Sequence, residues 1–293
     1  MGYLVFVTCL WAFSFSLIGV YIAGHVDSYF AVLTRIVLAS ILFVPFLKPR
    51  AVPMRLRLGL MAVGAIQLGL MYVSYYQSFL LLSVPEILLF TIFTPIYITL
   101  LDDALAKRFT PFHLFTALIA VVGAAVIRFQ APEGGEGFWV GFLMVQAANL
   151  CFAIGQVGYR RLMAREQIDV PARTVFGWFY LGALGVAVVA YLILGDKSAP
   201  GPEPLQWGVL AWLGLVASGL GYFLWNEGAR RVDAGALAIM NNVLIPAGLV
   251  VNLVIWNRDA DLLRLTLGGA IIVISLVVNE AWEKRRRRHA AGV

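Results

Sequence analysis

Charge is what this chain lacks. Of its 293 residues only 13% are Asp, Glu, Lys or Arg, while 61% are hydrophobic and the mean hydropathy is +0.86. Soluble domains carry about 25% charged residues, so there are too few charges here to solvate a 32.2 kDa particle. That excludes a soluble enzyme and a disordered chain, and it stops the net charge of +6 from meaning nucleic-acid binding. Cysteine is scarce too. Cys9 and Cys151 both lie inside apolar runs, which suggests neither a disulfide framework nor a metal site but two small apolar side chains. The three histidines, His25, His113 and His289, share no metal-ligand spacing and read as loop or helix-end residues. Neither H-E-x-x-H nor G-x-S-x-G occurs, and no phosphate-binding glycine loop precedes a Lys-Ser or Lys-Thr pair. The expectation is therefore no catalysis, no metal, no cofactor and no ATP drive. A channel would need a repeated filter or a ring of like charges, and the sequence has neither.

What is present is apolar length. Ten segments approach the ~20 residues a membrane helix needs, with cores near 3–22, 29–47, 58–80, 85–101, 111–128, 138–158, 173–194, 206–226, 235–256 and 262–281. The connections are short and hold the breakers: Lys48-Pro49-Arg50, Pro132 with Gly134-Gly135, and Ser198-Ala199-Pro200-Gly201-Pro202. The first segment has no basic leader and matches its neighbours in length, so it reads as a helix rather than a signal peptide. Lys and Arg in alternate connections fix the expected orientation. Seventeen lie on the side of the N-terminus, and four (Arg128, Lys197, Arg258, Arg264) on the other. Both termini are thus expected in the cytoplasm, with the run Lys284 to Arg288 held by anionic lipid rather than by nucleic acid.

The two halves resemble each other. Gly69 to Pro95 can be laid on Leu220 to Pro246 at an offset of 151, and the first segment on the sixth at 141, bringing Trp11-Ala12 onto Phe152-Ala153. The expected units are residues 1–130 and 131–282, five helices each, followed by a basic tail, 283–293. Five is odd, so the second half enters the membrane inverted, an arrangement found in secondary transporters with the site at the midplane. Leu10-Trp11-Ala12-Phe13-Ser14, Leu33-Thr34-Arg35-Ile36-Val37-Leu38-Ala39 and the paired Pro95 and Pro246 resemble the drug/metabolite transporter superfamily, and within it the ten-helix EamA branch, which includes amino-acid exporters. The resemblance implies an all-α integral membrane protein of ten helices in two inverted repeats around a central cavity. It also implies alternating-access export of amino acids, aromatic ones among them, or of another small metabolite or drug. The partners are then a small-molecule substrate and the bilayer of the inner membrane.

Helical spacing selects the faces for chemistry. In the sixth segment Gln146, Asn149, Ala153, Gln156 and Arg160 form one stripe. Amides are costly against lipid, so this stripe faces either a wet cavity or a seam where amides bond across helices. Its image in the first segment is Thr8, Ala12, Phe15 and Gly19, beside Trp11. In the third segment Gln67, Met71, Ser74 and Ser78 share a face with Tyr75 at its margin, and their image is Ser218, Tyr222, Trp225 and Ala229. Tyr72, Tyr76 and Phe79 read as packing or an interfacial belt; Tyr222 and Trp225 fit cavity and packing equally.

Pro95 and Pro246 sit inside apolar segments, and each removes a bond to the carbonyl four residues earlier, Thr91 and Asn242. Matching interruptions in two halves point to a transporter's site, here with Thr94, Tyr97, Asn241, Asn242 and Asn252 around it; a packing kink is the other reading. Arg35 lies about two turns into the second segment. It can snorkel outward, pair with a carboxylate such as Glu86, or meet a substrate carboxylate, in that order of expectation. Glu227 precedes Arg230 and Arg231 by three and four residues, the spacing of a helix-end ion pair. With no charge expected at its centre, the cavity would suit a neutral or zwitterionic solute.

Overall fold

Ten helices pass back and forth through the molecule in this computed structural model, which describes residues 1–128, 136–166, 171–255 and 261–290; no strand occurs among them. They are α1 (Gly2–Ile22), α2 (Ser28–Phe46), α3 (Met54–Ser78), α4 (Glu86–Ala106), α5 (Pro111–Arg128), α6 (Phe138–Arg165), α7 (Ala172–Leu194), α8 (Pro204–Ala229), α9 (Ala234–Ile255) and α10 (Leu262–Arg286). Nine of these are long and apolar enough to cross a membrane, and α5 is apolar over Pro111–Ile127. All ten expected segments are therefore helical. The breakers Pro132, Gly134 and Gly135, the 130/131 boundary, Arg258 and the Asn252 side chain lie outside the described residues. The helix of α10 runs on to Ala290, so the basic run expected as a separate tail extends that helix.

Polar residues at the ends start the helices. Asp27 accepts the Phe30 amide at α2, Asp233 the Ala236 amide at α9, and Asp261 the Arg264 amide at α10. Each takes up a backbone donor that the first turn cannot satisfy itself. Between the ends the outward faces are apolar, as at Val189, Leu192 and Ile193 of α7 and Val273, Ile274 and Val277 of α10. Such faces suit hydrocarbon, because a helix bonds most of its backbone groups internally. Helices approach closely where glycine permits. A Cβ on Gly64 would stand 1.8 Å from the Phe179 carbonyl oxygen, and one on Gly182 would stand 1.8 Å from that of Met61. The backbones of α3 and α7 thus touch at a reciprocal glycine crossing, a close approach that small residues allow in membranes.

Three helices contain π-helical turns: Ile18–Ile22 in α1, Ala65–Leu70 in α3 and Trp212–Leu220 in α8. The second and third overlap at the 151-residue offset, so α3 and α8 widen at corresponding places. The prolines do not correspond in this way. In α4 a 3-10 turn, Thr91–Phe93, separates Val84–Phe90 from Thr94–Ala106, and Pro95 stands in the first turn of the second piece. There proline costs nothing, since that N–H has no helical acceptor. Pro246 lies within an unbroken α9. The expectation that both prolines sit inside helices is corrected for Pro95.

Candidate functional site

The helices enclose a cavity of about 900 Å³, its open mouth included. From α1 it takes Thr8, Trp11, Ser14, Phe15 and Ile18, successive turns of one face. From α3 come Met71, Tyr72 and Tyr75, and from α8 Tyr222 and Trp225. Thr91 and Thr94 of α4, Asn149 and Phe152 of α6, and Asn241 and Leu244 of α9 line the facing side, and Arg35 of α2 completes it. Arg35 and Leu88 lie within about two turns of one end of their helices, and Tyr222 and Asn241 within about two turns of the other. The cavity is therefore central.

Its floor is aromatic. The Trp11 ring centroid lies 4.9 Å from that of Trp225, 5.0 Å from Tyr222 and 5.8 Å from Phe152. The π turn of α8 helps to fix this group, because the widened turn offers carbonyls sideways. Trp11 Nε1 donates to the Ala217 carbonyl at 2.8 Å, and the Tyr180 hydroxyl donates to those of Ser218 and Gly219 at 2.9 and 2.7 Å. Trp225 Nε1 donates to Gln156 Oε1 at 3.0 Å, and Gln156 meets the Asn241 amide at 3.4 Å. Aromatic rings of this kind give a binding wall large apolar area with few rotatable bonds.

The break in α4 explains the amides opposite. A 3-10 turn leaves carbonyls without their usual partners, and inside a bilayer each needs another. The Phe90 carbonyl accepts from Asn149 Nδ2 at 2.9 Å and Gln146 Nε2 at 3.2 Å, and the Ile92 carbonyl accepts from Asn242 Nδ2 at 3.2 Å. The Thr91 carbonyl, expected to be freed by Pro95, accepts the Thr94 hydroxyl at 2.8 Å. Tyr97 is tied into the same group, donating to Gln146 Oε1 at 2.9 Å.

Arg35 is 2% exposed. Its Nε donates to Ser218 Oγ at 3.2 Å, Nη1 to the Tyr76 hydroxyl and Nη2 to the Tyr72 hydroxyl, both at 2.7 Å. The guanidinium carbon stands 4.3 Å from the Tyr72 ring centre. Glu86 instead accepts from the Ser83 amide and hydroxyl at the start of α4. Neither snorkelling nor the Glu86 pair therefore describes Arg35; among the described residues the cavity wall carries one cation, which corrects the expectation of an uncharged centre and leaves the third reading of Arg35, a substrate carboxylate. Tyr72 and Tyr76, read from the sequence as packing or belt residues, are the side chains that hold Arg35.

Of the residues singled out from the sequence, Thr8, Trp11, Phe15, Arg35, Met71, Tyr75, Thr94, Asn149, Tyr222, Trp225 and Asn241 meet at the cavity. Gln146, Gln156, Ser218, Asn242 and Tyr97 stand behind the wall, bonded to groups that form it. Gln67 is fully enclosed against Gly155, with no hydrogen-bond partner for its amide among the described residues. Ser74 and the two prolines do not line the cavity. Sequence spacing missed Ser14, whose buried hydroxyl has no partner among the described residues; its place three residues after Trp11 was the available signal.

Toward the end of the bundle that carries the termini, charge gathers in pairs. Asp102 of α4 meets Arg161 of α6 at 2.9 Å, Arg160 at 3.7 Å and Arg108 at 3.8 Å. Glu227 of α8 meets Arg230 at 2.9 Å, as the spacing predicted, and accepts the Tyr159 hydroxyl at 3.1 Å. His113 is a helix-end residue, in the first turn of α5, and it is buried. Its Nε2 stands 2.9 Å from Glu283 and 4.0 Å from Asp233, which also accepts from Asn279, so a hydrogen-bonded network ties α5 to α9 and α10.

Comparison with known proteins supplies the lineage. The EamA-like transporter family matches residues 1–129 and 139–280. A "Probable biotin transporter" of Pseudomonas aeruginosa is 53% identical over 287 residues, covering 98% of this chain and 100% of its own length. The "Biotin transporter" of Escherichia coli K12 is 49% identical over 293 residues, covering 99% and 96%. The "Aromatic amino acid exporter YddG" of Ancylobacter novellus is 30% identical over 182 residues, 58% of each chain. A crystal structure with 20% identity superposes with a TM-score of 0.74 over 94% of this chain and 95% of its own, which supports the fold. The narrower likeness to amino-acid exporters gives way, because the relatives that match nearly the whole chain are named for biotin. The family and these relatives are transporters by name, not enzymes, and this chain, a multi-pass membrane transporter of small metabolites, belongs to the EamA-like transporter family.

Proposed function

We propose that this chain is a secondary carrier for biotin. It works by alternating access between two inverted five-helix halves, residues 1–130 and 131–282, in the inner membrane with both termini cytoplasmic. The observation that carries the reading is the reach of the likeness: relatives named for biotin match 98–99% of the chain at 49–53% identity, so every helix of the cavity is included. The cavity's chemistry agrees with that cargo. Biotin fuses a cyclic ureido group to an apolar thioether ring, which carries a short alkyl chain ending in a carboxylate. The wall offers an aromatic floor, amides and hydroxyls, and a single cation. Among the described residues no Asp or Glu lines it, so the ammonium of an amino-acid zwitterion would be desolvated without an anionic partner there, at a cost of several kcal/mol.

Purified protein in liposomes should take up labelled biotin, and excess unlabelled biotin should compete while tryptophan or leucine should not. Repeating the uptake with and without a pH gradient shows whether protons drive it. Exchange of tryptophan with no biotin uptake would overturn the assignment and restore amino-acid transport.

A further inference from the structure

We propose that Arg35 is the residue that grips the substrate's carboxylate. The inference rests on the biotin reading and names the group that reads the charged end of such a cargo.

Arg35 is a cation set deep in a membrane protein and facing its cavity. Every partner it has in the structure is neutral: Ser218 Oγ, Tyr72 Oη and Tyr76 Oη. The ion pairs of the described residues join other arginines, mostly near helix ends, where Asp102 and Glu227 are held by Arg161 and Arg230. An ionised side chain at this depth is expensive, and where one persists it faces a counter-charge, a wet path or a ligand. Among the described residues no counter-charge faces Arg35, so we infer that the anion comes from outside the chain.

The geometry is already that of a receptor. Guanidinium carries five N–H donors in a planar fork. The three neutral acceptors take one from each nitrogen, leaving one N–H on Nη1 and one on Nη2. The two oxygens of a carboxylate can take one N–H from each of these nitrogens. The plane is held from beneath by the Tyr72 ring at 4.3 Å, and the Tyr72 and Ser218 hydroxyls are themselves 3.0 Å apart, so the acceptors form a closed cradle. Such fixing leaves little rearrangement for the moment of binding. From Tyr72 the wall continues to Tyr222, 5.9 Å between ring centres, and then to Trp11 at 5.0 Å. A molecule gripped by its carboxylate at Arg35 would therefore lay its apolar part on the aromatic floor.

The full chain in lipid nanodiscs is titrated with biotin, with biotinamide, which is uncharged at the same atom, and with the pair 5-phenylpentanoate and its amide. The parent should bind biotin at least about thirtyfold more tightly than biotinamide, the range expected when a buried charge pair is lost. Arg35→Gln, checked by thermal unfolding, should weaken biotin about a hundredfold and biotinamide less than about threefold, so that the preference collapses. Loss of a purely structural arginine would weaken both ligands alike. If Arg35→Gln does not fold, Tyr72→Phe keeps the cation but loosens its fork, and should weaken biotin about fivefold without changing biotinamide. An equal preference for acid and amide in the parent, or an undiminished preference in the variants, overturns the proposal. The failure of the biotin reading is distinct: no binding of biotin or biotinamide, but an Arg35-dependent preference for phenylpentanoate over its amide, keeps the anchor and removes the cargo. If the parent prefers no carboxylate of either pair, the anchor falls as well.

Discussion

Asn149 gives an amide hydrogen to the Phe90 carbonyl and still reaches the cavity, whereas Gln156, two turns along the same stripe, is 0% exposed and bonded to Trp225 and Asn241. The stripe is thus both of the things its spacing allowed, cavity wall at one residue and seam at its neighbours. Period 3.6 tells which residues share a face; it carries nothing about which turn of that face meets a void, because that depends on the helix opposite. The same limit applies to Tyr72. Its position relative to Met71 and Tyr75 was legible, but its bond to Arg35 comes from a residue 37 positions away. This distinction is measurable. In a background with Cys9 and Cys151 replaced, Asn149→Cys should react with a polar thiol reagent at least about tenfold faster than Gln156→Cys, because reaction needs an accessible thiolate. Equal rates would place both residues on one wet surface and contradict the packing of Gln156 against Trp225.

Helix existence was legible nearly in full, since twenty-residue apolar runs leave little choice in a bilayer. Irregularities within the helices were not. The π turns at Ala65–Leu70 and Trp212–Leu220 contain Gly, Leu and Ala, a composition that regular membrane helices also carry; in α8 the carbonyls of the turn are taken by Trp11 and Tyr180 from other helices. Proline position was visible, but its consequence depended on where the helix restarts. Pro95 follows a 3-10 turn already satisfied by Gln146, Asn149 and Asn242, so alanine there fits the first turn and adds no helical bond. Pro246 lies mid-helix, where alanine restores a backbone donor and raises helix preference by up to about 3 kcal/mol. Pro246→Ala should therefore raise the thermal midpoint and slow transport by stiffening α9, while Pro95→Ala should change each by less. Equal effects in uptake and thermal unfolding would mean that the two prolines act as a symmetric pair of hinges.

For the whole bundle, ion pairs gather on one side of the cavity. Asp102 with Arg160 and Arg161, and Glu227 with Tyr159 and Arg230, clasp α4, α6 and α8 between the aromatic floor and the end that bears the termini. In the orientation proposed above, with seventeen Lys and Arg on that side against four on the other, this is the cytoplasmic end. On that orientation these pairs stand between the cavity and the cytoplasm, and we propose that they bar its cytoplasmic exit. A carrier must also visit the opposite state, and in doing so it has to part these pairs. Neutralising the acids with Asp102→Asn and Glu227→Gln removes part of what favours closure. A loss of about 2 kcal/mol, within the range for a charged hydrogen bond, changes a two-state ratio about thirtyfold. Asn149→Cys reports the shift. An impermeant thiol reagent outside intact cells should label it in the otherwise native chain and label it more slowly when both acids are neutralised, while inverted vesicles should show the reverse. Labelling of the native chain only from inverted vesicles would turn the molecule over in the membrane; labelling unchanged by the two substitutions would leave the aromatic floor, rather than the ion pairs, as the barrier.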